Sequence, residues 1–445
     1  MNLKSLKPAK VIMLGFFLVI FIGTILLVMP FSSSDGKSIG FLDALFTATS
    51  AVCVTGLVVR DTGTAFSLFG QTVILILIQT GGLGLMTFAT MFSLLLGRKV
   101  NLKERLTLQE TVSDLSLSGI VRLFKHLLIV VFSIELLGSF ILSFRFIPEY
   151  GVSKGIWMSV FHSVSAFCNA GFDIIGTVAQ PFASFSGYSS VPLVLLTIST
   201  LFIIGGLGFI TWRDIFTVRR FRDFMLHTKI VLLTTLFLIV SGFVFIFILE
   251  FSNTLEGMGF MDKVLNAFFH ATTPRTAGFN TLEVAKFQPG AQFVTKILMF
   301  IGGAPGSTAG GIKVTTFAII VFTLVSYLRH SEDVNILKRK VSWSIVRKSI
   351  SILFLGVTVV LFSTFVLLIA GEGSLSQVLF ESISAFGTVG LSTGITPYLS
   401  AIGKIMIIIT MFLGRVGPLA VAVTITFISG GKKLFSYPEG KISVG

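Results

Sequence analysis

The chain has 445 residues, 53% of them hydrophobic and only 12% charged, with 47 phenylalanines and a mean hydropathy of +0.94. That balance excludes a soluble multidomain enzyme and describes a surface turned toward lipid. The formal net charge of +14 would suit a nucleic-acid binder only if aromatic residues were interleaved with the basic ones; they are not, so no nucleic acid is expected.

The segments before Val11, at 98–126, 213–229 and 329–348, and after Gly430 hold 23 of the 34 Lys/Arg but only 8 of the 20 Asp/Glu. They recur at every second expected membrane crossing. The positive-inside rule therefore puts them, and both termini, in the cytoplasm, where they also attract anionic membrane lipids. Residues 1–10 read as a cytoplasmic tail. Val11–Met29 is long enough to span, and Pro30-Phe31-Ser32 is a poor cleavage site, so the run is taken as a retained helix. The remainder divides into repeat 1 (11–97), repeat 2 (127–212), repeat 3 (230–328) and repeat 4 (349–428), separated by cytoplasmic loops 98–126, 213–229 and 329–348 and closed by a tail at 429–445.

The repeats rest on four segments, 46–57, 161–172, 268–279 and 380–391, that align without gaps. Each starts with Phe (46, 161, 268, 380) and reaches Gly ten residues later (Gly56, Gly171, Gly278, Gly390). Six residues before the Gly stands a hydroxyl: Ser50, Ser165, Thr272 and Ser384. Apolar runs of spanning length precede the segments (Val11–Met29, Leu127–Phe144, Ile230–Leu249, Ile350–Ala370). Others follow them (Val73–Leu96, Val191–Thr211, Phe293–Leu328 with an interruption, Ile405–Phe427). A glycine-rich element returns in the second set, at Gly81–Gly84, Gly205–Gly208, Gly302-Gly303 and Gly414–Gly417.

Some ten residues of helix measure about 15 Å, half the hydrocarbon thickness, so each short segment must dip in and return as a re-entrant pore loop. Irregular backbone at that depth is tolerated where protein or water surrounds it, and four such loops most economically meet around one axis. The expected fold is all-α integral membrane: four tandem helix, pore-loop, helix units with pseudo-fourfold symmetry around one central pore. Half-helix C-termini favour cations, and Gly permits the left-handed conformations that turn successive carbonyls toward an axis. Val54-Thr55-Gly56, Asn169-Ala170-Gly171, Thr276-Ala277-Gly278 and Thr388-Val389-Gly390 are the candidate selectivity filter. None holds a carboxylate, which suits a weakly hydrated monovalent cation, K⁺ by inference.

These units, with Thr-Val-Gly-Leu at 388–391, Pro-Arg-Thr-Ala-Gly-Phe-Asn at 274–280 and Gly-Arg-Val-Gly-Pro at 414–418, resemble the Ktr/Trk/HKT superfamily of K⁺ transporters. The likeness runs from about Val11 to Phe427 and is nearest to the membrane subunit of bacterial Ktr systems. It implies potassium uptake across the bacterial plasma membrane, a homodimer, and a separate cytosolic nucleotide-binding regulatory ring. In plant relatives a Ser at the first filter position goes with Na⁺ preference; Gly56 resembles the K⁺-type pattern. K⁺, with Na⁺ as a possible transported or coupling ion, is the only cofactor expected.

Gly302-Gly303-Ala304-Pro305-Gly306-Ser307-Thr308-Ala309-Gly310-Gly311 cannot stay helical. It reads as an intramembrane gate loop, with a packing kink as the alternative. It is no phosphate loop, because Ile312 separates Gly311 from Lys313. Arg415, in the middle of the last helix, is expected to reach the gate loop, as the resemblance also implies, or else to stitch two helices together. Arg275 reads as a brace behind the third loop. His162 and Glu381, placed at the outer start of short helices, read as capping or packing residues. Glu135 needs a partner in its apolar run, either a buried hydrogen bond or a proton or Na⁺ site. Cys53 and Cys168 are packing residues. Alternating access is the rival mechanism, but it predicts inverted halves where these repeats run parallel. No catalytic Ser/His/Asp or HExxH arrangement lies at membrane depth, so no enzyme is expected.

Overall fold

The computed structural model describes residues 8–84 and 120–417. Besides single turns, the first unit holds α1 (Pro8–Val28), α2 (Phe41–Cys53) and α3 (Leu68–Leu83). The second holds α4 (Ile120–Tyr150), α5 (Val152–Phe167), α6 (Pro192–Leu207) and α7 (Phe209–Thr217). The third holds α8 (Leu226–Glu250), α9 (Phe260–Thr272), α10 (Pro289–Phe300) and α11 (Val314–Leu328). The fourth holds α12 (Trp343–Ile369), α13 (Leu375–Gly387) and α14 (Ala401–Val416). The loop 98–126 is described only from residue 120, and the tails at 1–7 and 418–445 lie outside the described residues.

Leu127–Tyr150 within α4, and the whole of α8 and α12, are long and apolar enough to cross a bilayer. Their outward faces expose Leu136, Phe237 and Phe354, side chains that lipid accommodates and water would not. These helices run longer than their apolar stretches; α4 carries Pro148 in its last turn and ends at Tyr150 rather than at Phe144.

The second helix of each unit departs from expectation. Not one but all of them stop at the glycine-rich element. Helices α3, α6 and α14 end at Gly84, Gly208 and Gly417, with φ of 80°, 84° and 92°, a region where an L side chain would be strained. Across Gly208 the chain turns by 94° into α7. In the third unit the break widens into residues 301–313, whose two ends are tied by a parallel bridge between Ile301 and Ile312.

The glycine three residues before each of these stops has a packing role. A Cβ on Gly81, Gly205 or Gly414 would collide with the carbonyl oxygen of Val52, Phe167 or Phe386 respectively. Each of those carbonyls lies four residues before a repeat glycine, so the second helix is pressed against the same point of the short segment in three units. Bulk there would push the short helix off its seat.

The gap-free alignment is off by one in the third unit. Phe269, not Phe268, is the fully buried phenylalanine. Thr273 Oγ1 donates to the Phe279 carbonyl at 2.6 Å, as Ser165 Oγ donates to that of Phe172 at 2.6 Å. Thr272 bonds back into its own helix instead. One residue fewer separates hydroxyl from glycine in this unit, and the surplus of phenylalanine hid the slip.

On the expected cytoplasmic side, residues 329–348 contain a two-stranded hairpin, β1 (Asn335–Ile336) and β2 (Arg339–Lys340).

Candidate functional site

The four triplets share one backbone device. The residue two before each glycine is left-handed, Val54 (φ 57°), Asn169 (57°), Thr276 (70°) and Thr388 (51°), and the glycines follow at 84°, 69°, 79° and 97°. Three of those left-handed residues are β-branched, which is costly and persists only where surroundings impose it. A backbone amide bonded back to the short helix helps impose it: Thr55 N donates to Ser50 O, Ala170 N to Ser165 O, Val389 N to Ser384 O and, with the one-residue shift, Ala277 N to Thr273 O.

The triplets meet. The place where a Cβ would stand on Gly56 is crowded by the Ala170 carbonyl oxygen, on Gly171 by that of Ala277, on Gly278 by that of Val389, and on Gly390 by that of Thr55. Each glycine therefore abuts the residue before the next glycine, and the fourth returns to the first. A Cβ on Gly171 would lie 3.1 Å from Gly278 Cα and 3.4 Å from Gly56 Cα. The other eight triplet residues are buried.

All four glycines line one cavity of about 390 Å³, shared with Asp61, Asp173, Ser184, Asn280 and Ser392. Asp61 spans two units there: its carboxylate accepts from Thr64 N at 2.9 Å and from Phe182 N at 2.7 Å. Burial, and after it the charge of Asp61, pushes the Asp173 carboxyl up to about 7.

Against the opposite side of the triplets lies the 302–311 loop. A Cβ on Gly310 would strike the Thr388 side chain, and the Asn169 amide reaches Thr308 Oγ1 at 2.8 Å and Thr276 Oγ1 at 3.2 Å. The loop is stitched to the second unit by Ala304 N to Gly206 O (2.9 Å) and Phe209 N to Gly306 O (3.0 Å), and to itself by Gly302 N to Ile312 O (2.8 Å). Arg415 donates to the carbonyls of Thr308 and Gly81, joining loop to first unit. Lys313 Nζ donates to Ala309 O at 2.6 Å. Lys313 enters the sequence analysis only as a mismatch to a phosphate loop. The signal was available: a cation at membrane depth beside a glycine-rich break.

Behind the triplets stand the braces. Arg275 donates through Nη1 to the Thr235 carbonyl of α8 at 3.2 Å. Glu381 is a correction. It sits inside α13, whose N-cap is Ser374, and its carboxylate accepts from Ser392, Thr393 and Thr396. Those residues belong to the irregular segment just past Gly390, where Thr396 opens a single 3-10 turn, so it clamps the returning chain rather than meeting a helix N-terminus. His162 acts likewise on Ile174 N at 3.2 Å. His270, missed because the alignment was one residue out, accepts from Leu282 N at 3.1 Å and Thr281 N at 3.3 Å. Glu135 makes a buried hydrogen bond to a neighbouring helix, accepting from Gln79 Nε2 of α3 at 3.0 Å. Cys53 and Cys168 are both buried and free.

The family described as "TrkH: Cation transport protein" matches residues 5–437. The chain belongs to that family. It is a multi-pass membrane protein of a cation-transporting family, not an enzyme. It is similar to the Ktr system potassium uptake protein B of Bacillus subtilis, with 43% identity covering 98% of this chain and 97% of the relative. It is also similar to the potassium/sodium uptake protein NtpJ of Enterococcus hirae, with 38% identity over 99% and 98%. The crystal structure of the potassium transporter TrkH from Vibrio parahaemolyticus shares its fold, with a TM-score of 0.76, 18% identity, and coverage of 96% of this chain and 86% of that one.

Proposed function

We propose that this chain takes up potassium across the plasma membrane by channel-like conduction, through one central pathway built by four pore-loop units in pseudo-fourfold arrangement. The observation that carries the reading is the cyclic contact of Gly56, Gly171, Gly278 and Gly390 with the carbonyl of the next triplet. Peptide oxygens gathered in this way replace the hydration shell of a monovalent cation without holding it by full charge. The descriptions of the Bacillus subtilis and Enterococcus hirae relatives support K⁺ as the cargo, and the latter keeps Na⁺ beside it.

The loop 302–311 is the gate, held shut by Arg415 and Lys313 against its carbonyls; two cations below the filter also repel the next ion until the loop moves. The membrane potential, about 2.3 kcal/mol per charge per 100 mV, drives uptake inward. Control comes from a separate cytosolic nucleotide-binding subunit, a partner suggested by the "Ktr system" description of the relatives, acting on a homodimer whose termini face the cytoplasm.

The test is growth and Rb⁺ uptake of a potassium-uptake-deficient bacterium at low external K⁺, expressing this chain or its Gly278→Ser variant. Rescue by the first and not the second is expected. An expressed wild-type chain that fails to rescue, or a variant that rescues equally well, contradicts the proposal. Co-purification of a cytosolic nucleotide-binding subunit with the full chain tests the partner.

A further inference from the structure

The hairpin β1–β2 lies between α11, the helix leaving the 302–311 loop, and α12. Its inner residues Val334, Ile336 and Val341 share one buried apolar cluster with Ala318 of α11, Ile230 of α8 and Val346 of α12. Ala318 stands about one helical turn from the loop. A displacement of the hairpin is therefore carried by close-packed side chains toward the loop, since such packing is not compliant.

The tip faces away from that cluster. Its two turn residues, Leu337 (φ 47°) and Lys338 (φ 64°), are both left-handed, a conformation that Asn-Gly adopts readily and that other L side chains disfavour. Leu337 is 48% exposed, and Lys338, Arg339 and Lys340 around it are exposed too. Lys340 is engaged with Asp333 at 2.6 Å.

We infer that this hairpin is the docking peg for the cytosolic regulatory subunit, through a surface on that subunit with an apolar socket ringed by carboxylates. The inference deepens the regulatory reading above and rests on it. Strain retained at a turn implies that the position of a particular side chain matters. Attraction to anionic lipid requires only charge, which the basic loops supply without a rigid, strained tip carrying leucine.

The experiment uses the full chain in proteoliposomes, with the nucleotide-binding subunit that co-purifies with it as the probe. The double substitution Leu337→Asn, Lys338→Gly keeps the hairpin turn and removes the peg. A second pair, Lys338→Glu with Arg339→Glu, reverses the charge. Both are expected to weaken subunit binding about tenfold or more, the effect of losing an interface anchor, and to abolish nucleotide-dependent change in Rb⁺ flux while leaving subunit-free flux intact. Equal binding and regulation in wild type and both variants overturns the peg while the regulatory reading stands. If no subunit co-purifies with the wild-type chain, both fall together. If flux instead follows the anionic lipid content of the vesicles and the variants lose only that dependence, the surface is a lipid contact and the peg is overturned.

Discussion

The glycine ring and the loop beneath it are built from the same repeat, yet among the described residues one is four times alike and the other occurs once. In the ring every unit contributes a left-handed residue and a glycine at matching positions, and each contact is answered by its neighbour around the circle. Below, three units end their second helix in a single glycine while the third opens into residues 301–313. On the proposed reading, four equal donors suit a spherical ion, whereas a barrier needs only one movable segment, so a single repeat can change while the ring keeps its geometry.

That contrast can be broken from above first. Gly56→Ser puts a side chain where the Ala170 carbonyl stands and should lower K⁺ uptake at low K⁺ about 100-fold, the result of losing two carbonyl contacts of ~1.5 kcal/mol each. Competition of Na⁺ with Rb⁺ uptake measures it, and the balance should move toward Na⁺. Wild-type competition curves would mean the ring is not the filter.

From below, the effect should have the opposite sign. Deleting Pro305–Ala309 removes the Thr308 and Gly306 attachments to Arg415 and α7 and should raise Rb⁺ influx about tenfold or more, since charged hydrogen bonds contribute ~1.5–3 kcal/mol. Unchanged or abolished flux in well-expressed protein counts against a gate. Arg415→Gln should raise flux in the same direction by about tenfold with assembly unaltered on size-exclusion chromatography. Lys313→Met, which loses a short contact to the Ala309 carbonyl and a long one to that of Gly310, should raise it about threefold; flux below wild type in both would reverse the assigned roles.

The smallest effect separates support from conduction. His270→Leu leaves the Thr281 and Leu282 amides without their acceptor, a cost of ~1–3 kcal/mol. A lower thermal midpoint in detergent, with K⁺ over Na⁺ discrimination kept in the surviving protein, is expected. Lost discrimination at normal stability would make His270 part of the ring's geometry.

How much was legible depended on the physics each residue obeys. Membrane placement follows from local hydropathy, which needs no knowledge of contacts. The four triplets were readable because a left-handed turn admits few residues, so glycine recurs at a fixed place. Glu381 is misplaced by the sequence because a carboxylate near a helix start and one clamping a loop twelve residues on look the same in one dimension. The shift at Thr273 escaped because phenylalanines at 268 and 269 both satisfied the pattern, and only burial distinguishes them.

Composition, charge placement and the recurrence of Phe and Gly were enough to specify a helical membrane chain of repeated units with glycine turns at depth. The chain could not reveal alone that all three unbroken-looking second helices stop at Gly84, Gly208 and Gly417, or that Lys313 and Arg415 reach different carbonyls of one loop. Hydropathy and backbone preference act over a few neighbours. Which carbonyl meets which repeat glycine, or the Arg415 guanidinium, depends on packing between segments more than a hundred residues apart, and that only the folded chain decides.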